Sequence, residues 1–410
     1  WYYYGMNIPG SETELHHQST YGNAPYRDFV HSFEQRVDES WDPQAWATLF
    51  QRIGAQYVVL VTKHHDGYAL WPSSVNNPHR ENWTSDRDIV GELARAVRDK
   101  GMRFGTYYST GLDWTFRLVT EGSLVRDVMR SAPPGQEYAD YVYAHMQELI
   151  ERYQPDVLWA DIGYPTRGRQ WDMLRDYFAA VPQGTVNDRW GGVDALGRIA
   201  EIPGTTPIMK ALGRWSLGMA SDPLADDPAR VGFKTAEYDA LPGIAQYQWE
   251  STRGLGSSFA FNASESADDL LDANELINSL VDVVAKRGNL LINVGPDSHG
   301  RIPAMQQAPL LGLGQWLAVN SEAIYDTQPW QRFGNLSGRE LRYTRGDAAL
   351  YAIVPGVTSA SFAIEHPGID YQALSVLGAQ VGSTRLVDGQ LHITLINAPD
   401  TPALVVRYLL

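Results

Sequence analysis

Acidic, basic and aromatic side chains stand at the ends of several short hydrophobic runs. Asp161 closes Val157-Leu158-Trp159-Ala160, Asp188 and Arg189 follow Asn187, and Glu237 closes Lys234-Thr235-Ala236. Glu250 follows Trp249, His64 and His65 end an earlier run, and Asn293 lies in the last. Carboxyl groups, rings and an arginine together suit sugar chemistry. One carboxyl group can protonate a departing glycosidic oxygen while a second, about 5–5.5 Å away, attacks the anomeric carbon with net retention. Asp161 emerges from a buried run, so hydrogen-bond donors must offset its desolvation. A strand-end Asp that caps the next helix is the plainer alternative, and position alone leaves both open.

The triplet His64-His65-Asp66 also invites a metal reading. Adjacent strand residues point to opposite faces, so both imidazoles reach one ion only where the strand breaks. Hydrogen bonding to ligand hydroxyls is the preferred reading, and no metal site is expected. A second pair, His16-His17, falls in a polar stretch that reads as a solvated surface loop.

The elements that would position these groups alternate. Strand candidates are Tyr57–Lys63, Arg103–Ser109, 157–162, 185–190, 233–238, 247–250 and 289–295, several of them continuous apolar runs suited to strands buried on both faces. Helical periodicity covers 42–54, 86–100 with Ser85 as its cap, Gln136–Tyr153 and 273–287. Alternation of this kind specifies a parallel α/β fold, in which reactive side chains gather at the C-terminal strand ends. Seven strands are one short of a (β/α)8 barrel, and the missing first strand is expected upstream of residue 1. Beyond residue 330 the helical period disappears. The segments 341–343, 348–354, 360–364, 374–377, 391–396 and Ala403–Leu409 read as an antiparallel β-sandwich. The expected organisation is a (β/α)8-like TIM barrel over residues 1–329 and a β-sandwich over 330–410. The stretch 191–231, rich in Gly, Pro, Ala and Asp, is a long loop of the functional kind.

Composition narrows the partners. A net charge of −15 spread along 410 residues repels phosphate backbones, so nucleic acid is not an expected partner. No apolar run reaches the ~18 residues that span a bilayer, so no membrane partner is expected. The absence of cysteine excludes disulfides, thiolate metal ligands and a thiol nucleophile. Tyr and Trp, at 22 and 13 against 11 Phe, supply flat rings with polar handles, suited to sugar faces as well as to a core. Sequons at Asn82, Asn262 and Asn335 decide nothing, since several arise by chance in a chain this long.

Longer motifs carry a resemblance. They are Trp1 with Met6-Asn7; Lys63-His64-His65-Asp66-Gly67 through Leu70-Trp71-Pro72-Ser73; and Tyr107-Tyr108-Ser109. Asp156-Val157-Leu158-Trp159-Ala160-Asp161, Asn187-Asp188-Arg189-Trp190 and Phe233-Lys234-Thr235-Ala236-Glu237-Tyr238 follow. Trp249-Glu250-Ser251-Thr252, Ser258-Phe259 and Gly288-Asn289-Leu290-Leu291-Ile292-Asn293-Val294-Gly295-Pro296 complete the set. In these segments the chain resembles the α-L-fucosidases of glycoside hydrolase family 29.

The resemblance implies a barrel followed by a sandwich, and hydrolysis of terminal α-L-fucose with retention through a covalent fucosyl-enzyme. It implies Asp161 as nucleophile and Glu237 as acid/base, with Glu250 the competitor for the latter role. It implies Trp1, His64, His65, Tyr107, Trp159, Arg189 and Phe259 as substrate contacts, with Trp1 and Phe259 forming the apolar wall against the C5 methyl. No cofactor is implied, because two carboxyl groups and water suffice. The implied partner is a fucosylated glycan, and assembly into a homo-oligomer stays open. The compartment is open between cytoplasm, periplasm and export, in a bacterial setting. Two departures are visible. The family's Phe-x-Ile-His-Trp-Gly motif has no match, and 191–231 separates two motifs that can lie closer together. That stretch is expected to overhang the leaving-group side and shape linkage preference. A glycosidase for another sugar on the same scaffold, such as a β-galactosidase, and a silent fucose-binding lectin are the alternatives.

Overall fold

The computed structural model describes residues 1–122, 124–192, 232–336, 340–369 and 373–410. The chain divides into two compact units, and the division does not follow the chain in two blocks. One unit comprises Trp1–Thr48, Ala55–Phe233 and Ser298–Gly300; the other comprises Leu49–Gly54, Lys234–Asp297 and Arg301–Leu410. The stretch expected to overhang the leaving-group side lies, from 193 to 231, outside the described residues.

The first unit is built on a parallel sheet of β1 (Tyr57–Lys63), β2 (Arg103–Ser109), β3 (Val157–Asp161) and β4 (Thr185–Val186), in that order. Helices Ile89–Asp99, Gln136–Tyr153 and Gln170–Ala180 supply the crossovers. The first of these starts later than its periodicity suggested. Asp88 is the cap, accepting from Gly91 N at 3.0 Å, while Ser85 Oγ accepts from Arg87 N at 3.2 Å. Leu93, Val97, Phe104, Leu149 and Leu158 are fully buried, which fixes the helix layer against one face of the sheet. The chain before β1 is mainly helical, with Glu12–Tyr21, Arg27–Ser40 and Pro43–Arg52.

Two local features shape the C-terminal edge of this sheet. The register of β1 on β2 shifts between Val61 and Lys63, so that Lys63 pairs with Tyr108. The extra residue turns the Lys63 side chain to the helix face, where Nζ lies 3.0 Å from Asp113 Oδ2 and 4.6 Å from the Tyr108 ring centre. Strand β4 then stops after two residues. Asn187 continues its pairing with side-chain atoms: Nδ2 donates to Ala160 O at 2.8 Å and Oδ1 accepts from Ala160 N at 3.0 Å.

The second unit holds the parallel strands β5 (Lys234–Glu237), β6 (Trp249–Gly254) and β7 (Gly288–Asn293), in that order. Helix Ala273–Ala285 crosses from β6 to β7 and opens with a reciprocal cap between Asp272 and Glu275. Two antiparallel sheets follow. One orders β12 (Leu374–Val376), β15 (Ala403–Leu409), β10 (Ala349–Pro355), β9 (Arg342–Arg345) and β8 (Gln328–Gly334); the other orders β11 (Ser361–Glu365), β14 (Gln390–Leu395) and β13 (Val381–Val387). Strands β8 and β13 are additions to the six expected. Strand β10 is buried on both faces because its alternation serves two cores. Ala349, Tyr351 and Ile353 join Leu276, Ile277, Trp316 and Leu317 of the helix layer. Leu350, Ala352 and Val354 join Ile364, Leu391 and Ile393 of the smaller sheet.

Candidate active site

In the first unit, Asp161 is the last residue of β3, level with Ser109 of β2. Its carboxylate is held at both oxygens. Oδ1 accepts from Arg189 Nη1 at 2.9 Å and from Ile162 N at 2.9 Å; Oδ2 accepts from Tyr107 OH at 2.6 Å. The Ile162 contact needs an uncommon backbone, with φ at +59°, a region that β-branched residues rarely enter. Gly111 makes room for it. A Cβ there would lie 2.2 Å from Ile162 O, and Gly111 N donates to Asp161 O at 3.0 Å. Backbone strain and a facing glycine thus aim one residue's N–H at the carboxylate beside it.

Aromatic faces pave the approach to Asp161. Tyr107 stacks on Trp159 with centroids 5.4 Å apart, and the Arg189 guanidinium lies 4.9 Å over the Trp159 ring. His64 stacks above Tyr107 at 6.0 Å and touches His65 at 3.9 Å. The two imidazoles meet because β1 ends at Lys63, which removes the alternation expected of a continuing strand. Burial, then the neighbouring His65, holds the His64 pKa well below the ordinary histidine value, with Asp161 pulling the other way. Burial does the same for His65, so both rings are neutral at neutral pH. Burial pushes the Asp66 carboxyl up, and a hydrogen bond from Tyr26 OH at 2.8 Å opposes it. Among the described residues, no group of three or more His, Asp or Glu side chains is arranged to hold a metal ion. Trp1 is 49% exposed, and its ring lies edge-on to His65 at 5.3 Å and to Trp114 at 5.5 Å.

Glu237 and Phe259 belong to the second unit. Glu237 is the last residue of β5, exposed and level with Thr252 of β6. Tyr238, at φ +50°, places its ring 5.1 Å from Phe259 and accepts from Gly254 N at 3.1 Å through its hydroxyl. Phe259 remains 38% exposed. Gly254 is required where the loop crosses, because a Cβ there would lie 2.5 Å from Ser258 O.

Two expectations need correction. Glu250 does not end its strand: β6 begins at Trp249, so Glu250 is the second residue, level with Thr235 and Asn289. It is 2% exposed and lies two residues, roughly 6–7 Å, below the level of Glu237. His17 is not solvated surface either. It is buried on helix Glu12–Tyr21, with Nδ1 2.8 Å from Tyr2 OH and Nε2 2.9 Å from Ala24 O.

Several organising residues escaped sequence reasoning. Asp113 binds Lys63 with Oδ2 and accepts from Thr115 N at 2.9 Å with Oδ1, while Trp114 N donates to His65 O at 2.7 Å. The loop after β2 thereby grips the turn that carries both histidines. The departure of Lys63 from strand alternation was hidden, because a bulge leaves no mark in composition.

Comparison with known proteins points one way. A family model described as alpha-L-fucosidase matches residues 1–322. The α-L-fucosidase of Dictyostelium discoideum is 31% identical over 342 residues, spanning 81% of this chain and 66% of that protein. The tissue α-L-fucosidase of Rattus norvegicus is 29% identical, over 80% of this chain and 64% of its own length. The chain therefore spans just under two thirds of the length of these relatives. A Thermotoga maritima α-fucosidase solved in complex with fucose superposes with a TM-score of 0.79 at 36% identity, covering 100% of this chain and 88% of that one.

Proposed function

The chain belongs to the α-L-fucosidase family, and from that premise we propose that it is a retaining exo-α-L-fucosidase releasing terminal α-L-fucose from oligosaccharides or glycoconjugates. The carrying observation is the Asp161 carboxylate, seated at a C-terminal strand end and oriented by Arg189, Tyr107 and the Ile162 amide. Oδ1 is committed to two donors, which leaves Oδ2, with Tyr107 as its donor, as the attacking atom. Attack at the anomeric carbon forms the fucosyl ester as the bond to the leaving oxygen breaks. Glu237 donates its proton to that oxygen, then takes one from the water that cleaves the ester. Its place at the end of β5 supports this role over Glu250, the second residue of β6.

The seven parallel strands are consistent with a (β/α)8-like barrel over residues 1–329, and the two antiparallel sheets around one core with a β-sandwich over 330–410. His64, His65, Tyr107, Trp159 and Arg189 contact the sugar and the nucleophile; Trp1 and Phe259 supply the apolar wall. A methyl in such a pocket discriminates by only about 1–3 kcal/mol, so hydroxyl contacts carry most of the selectivity.

The test compares p-nitrophenyl α-L-fucoside with the α-L- and β-D-galactosides and follows the first-formed anomer by NMR. The proposal expects preference for the fucoside and release of α-L-fucose. Release of the β-anomer would exclude the double displacement, and preference for a galactoside would exclude the substrate.

A further inference from the structure

Ser109 Oγ sits between two partners whose roles can be assigned. It lies 2.8 Å from Leu112 O and 2.6 Å from His65 Nδ1. A carbonyl only accepts, and a serine carries one hydroxyl hydrogen. That hydrogen goes to Leu112, since the reverse would leave two oxygens at 2.8 Å with no hydrogen between them. His65 Nδ1 must therefore bear a hydrogen and donate it to the Ser109 lone pair. All three residues are buried, so bulk water does not offer either group another partner. Because burial keeps the ring neutral, it has a single N–H. Nε2 is left as an acceptor and has no partner among the described residues. The backbone of His65 is held by Trp114 N at 2.7 Å, and the ring is flanked by Trp1 and Trp114.

We propose that Ser109 is a positioning residue that locks His65 in the Nδ1–H tautomer, so that Nε2 accepts a hydrogen bond from one hydroxyl of the bound fucose. The sugar contact rests on the fucosidase reading; the tautomer does not. An acceptor at this position recognises the hydroxyl by its hydrogen rather than by its oxygen. Carbon-bound fluorine keeps the electronegative atom but has no hydrogen to give, so a fluoro sugar is rejected as strongly as a deoxy sugar. A donor at Nε2 would tolerate fluorine in part. Ser109 thus reaches the specificity of the site without touching the substrate.

The test has two arms on the intact chain. In the first, 15N NMR of the histidine rings, with His65 assigned by the signals lost in His65→Asn, reads the tautomer directly. Protonated Nδ1 and unprotonated Nε2 across neutral pH are expected; a protonated Nε2 overturns the proposal without recourse to any other variant. In Ser109→Ala the Nε2 signal should move toward the protonated range, and Ser109→Thr, which keeps the oxygen, should restore it. A serine of merely structural importance would lower stability and leave that signal in place. In the second arm, calorimetry compares L-fucose with its 3- and 4-deoxy and deoxyfluoro derivatives. At one ring position both replacements should weaken binding about tenfold and equally. Fluoro sugars that keep L-fucose affinity at both positions where deoxy sugars lose it would overturn this inference alone. No binding of L-fucose at all would overturn the sugar contact together with the fucosidase reading.

Discussion

Gly111→Ala tests how strictly the turn after β3 is held. The Cβ would lie 2.2 Å from Ile162 O and 2.7 Å from Ile162 C, both backbone atoms that cannot rotate aside. A carbon and a carbonyl oxygen rest at about 3.3 Å or more, so the two segments must part by roughly 1 Å. Gly111 N is itself bonded to Asp161 O at 3.0 Å, so the displacement passes directly to the proposed nucleophile. Misplacing a reacting group by about 1 Å costs on the order of 10²-fold in rate, while overpacking costs about 1–3 kcal/mol in stability. The expected result is a kcat on p-nitrophenyl α-L-fucoside about 100-fold down in a chain that still unfolds cooperatively in urea. Gly243→Ala, where a Cβ meets nothing within 4 Å, serves as the unaffected control. Wild-type kcat with an unchanged urea midpoint in Gly111→Ala would refute the reasoning.

Three further outcomes are expected. Lys63→Met leaves Asp113 as a buried unpaired carboxylate and should destabilise the chain by about 3–5 kcal/mol in urea unfolding, with Lys63→Met/Asp113→Leu regaining part of the loss; a neutral single variant would show the pair to be irrelevant. Tyr107→Phe removes a hydrogen bond to the Asp161 carboxylate, worth about 1.5–3 kcal/mol, so kcat should fall about 10- to 100-fold with little change in KM; equal losses in binding alone would contradict the assignment. His145 is fully buried, and burial lowers its pKa to about 3. Its unfolded value near 6.5 is the higher of the two, so the unfolded chain takes up the proton first and stability falls as pH drops from about 6.5 toward about 3, by up to about 5 kcal/mol. His145→Leu should flatten that limb in urea titrations at successive pH values; an unaltered limb would assign it to other groups.

The sequence exposed those parts of the fold whose hydrophobic pattern matches their burial. Strands β1 and β2 and helix Gln136–Tyr153 lie where alternation and three- to four-residue spacing put them. Helix Glu12–Tyr21 has no apolar stripe, so its sequence reads as a loop, although Ser11 followed by Glu14 is a capping signal: Ser11 Oγ accepts from Glu14 N at 3.0 Å. Strand β6 runs later than its pattern suggests because Ser251, Arg253 and Gly254 carry no strong strand signal, and pairing with β5 and β7 supplies what propensity lacks. Asp161 was legible as the polar end of a buried run. The donors that orient it were only partly so, since Tyr107 lies inside β2, Arg189 lies beyond β4 and the Ile162 amide depends on a left-handed turn. The tautomer set by Ser109 depends on a carbonyl and on a histidine 44 residues away, which spacing cannot reveal.

The most direct measurement is to trap the intermediate with 2-deoxy-2-fluoro-L-fucosyl fluoride and locate the label by peptide mass spectrometry. The account predicts one fluorofucosyl group per chain, on the peptide containing Asp161, with activity returning as the ester turns over. A label on another carboxylate, or hydrolysis of fucosides with no covalent label at any time, would contradict it.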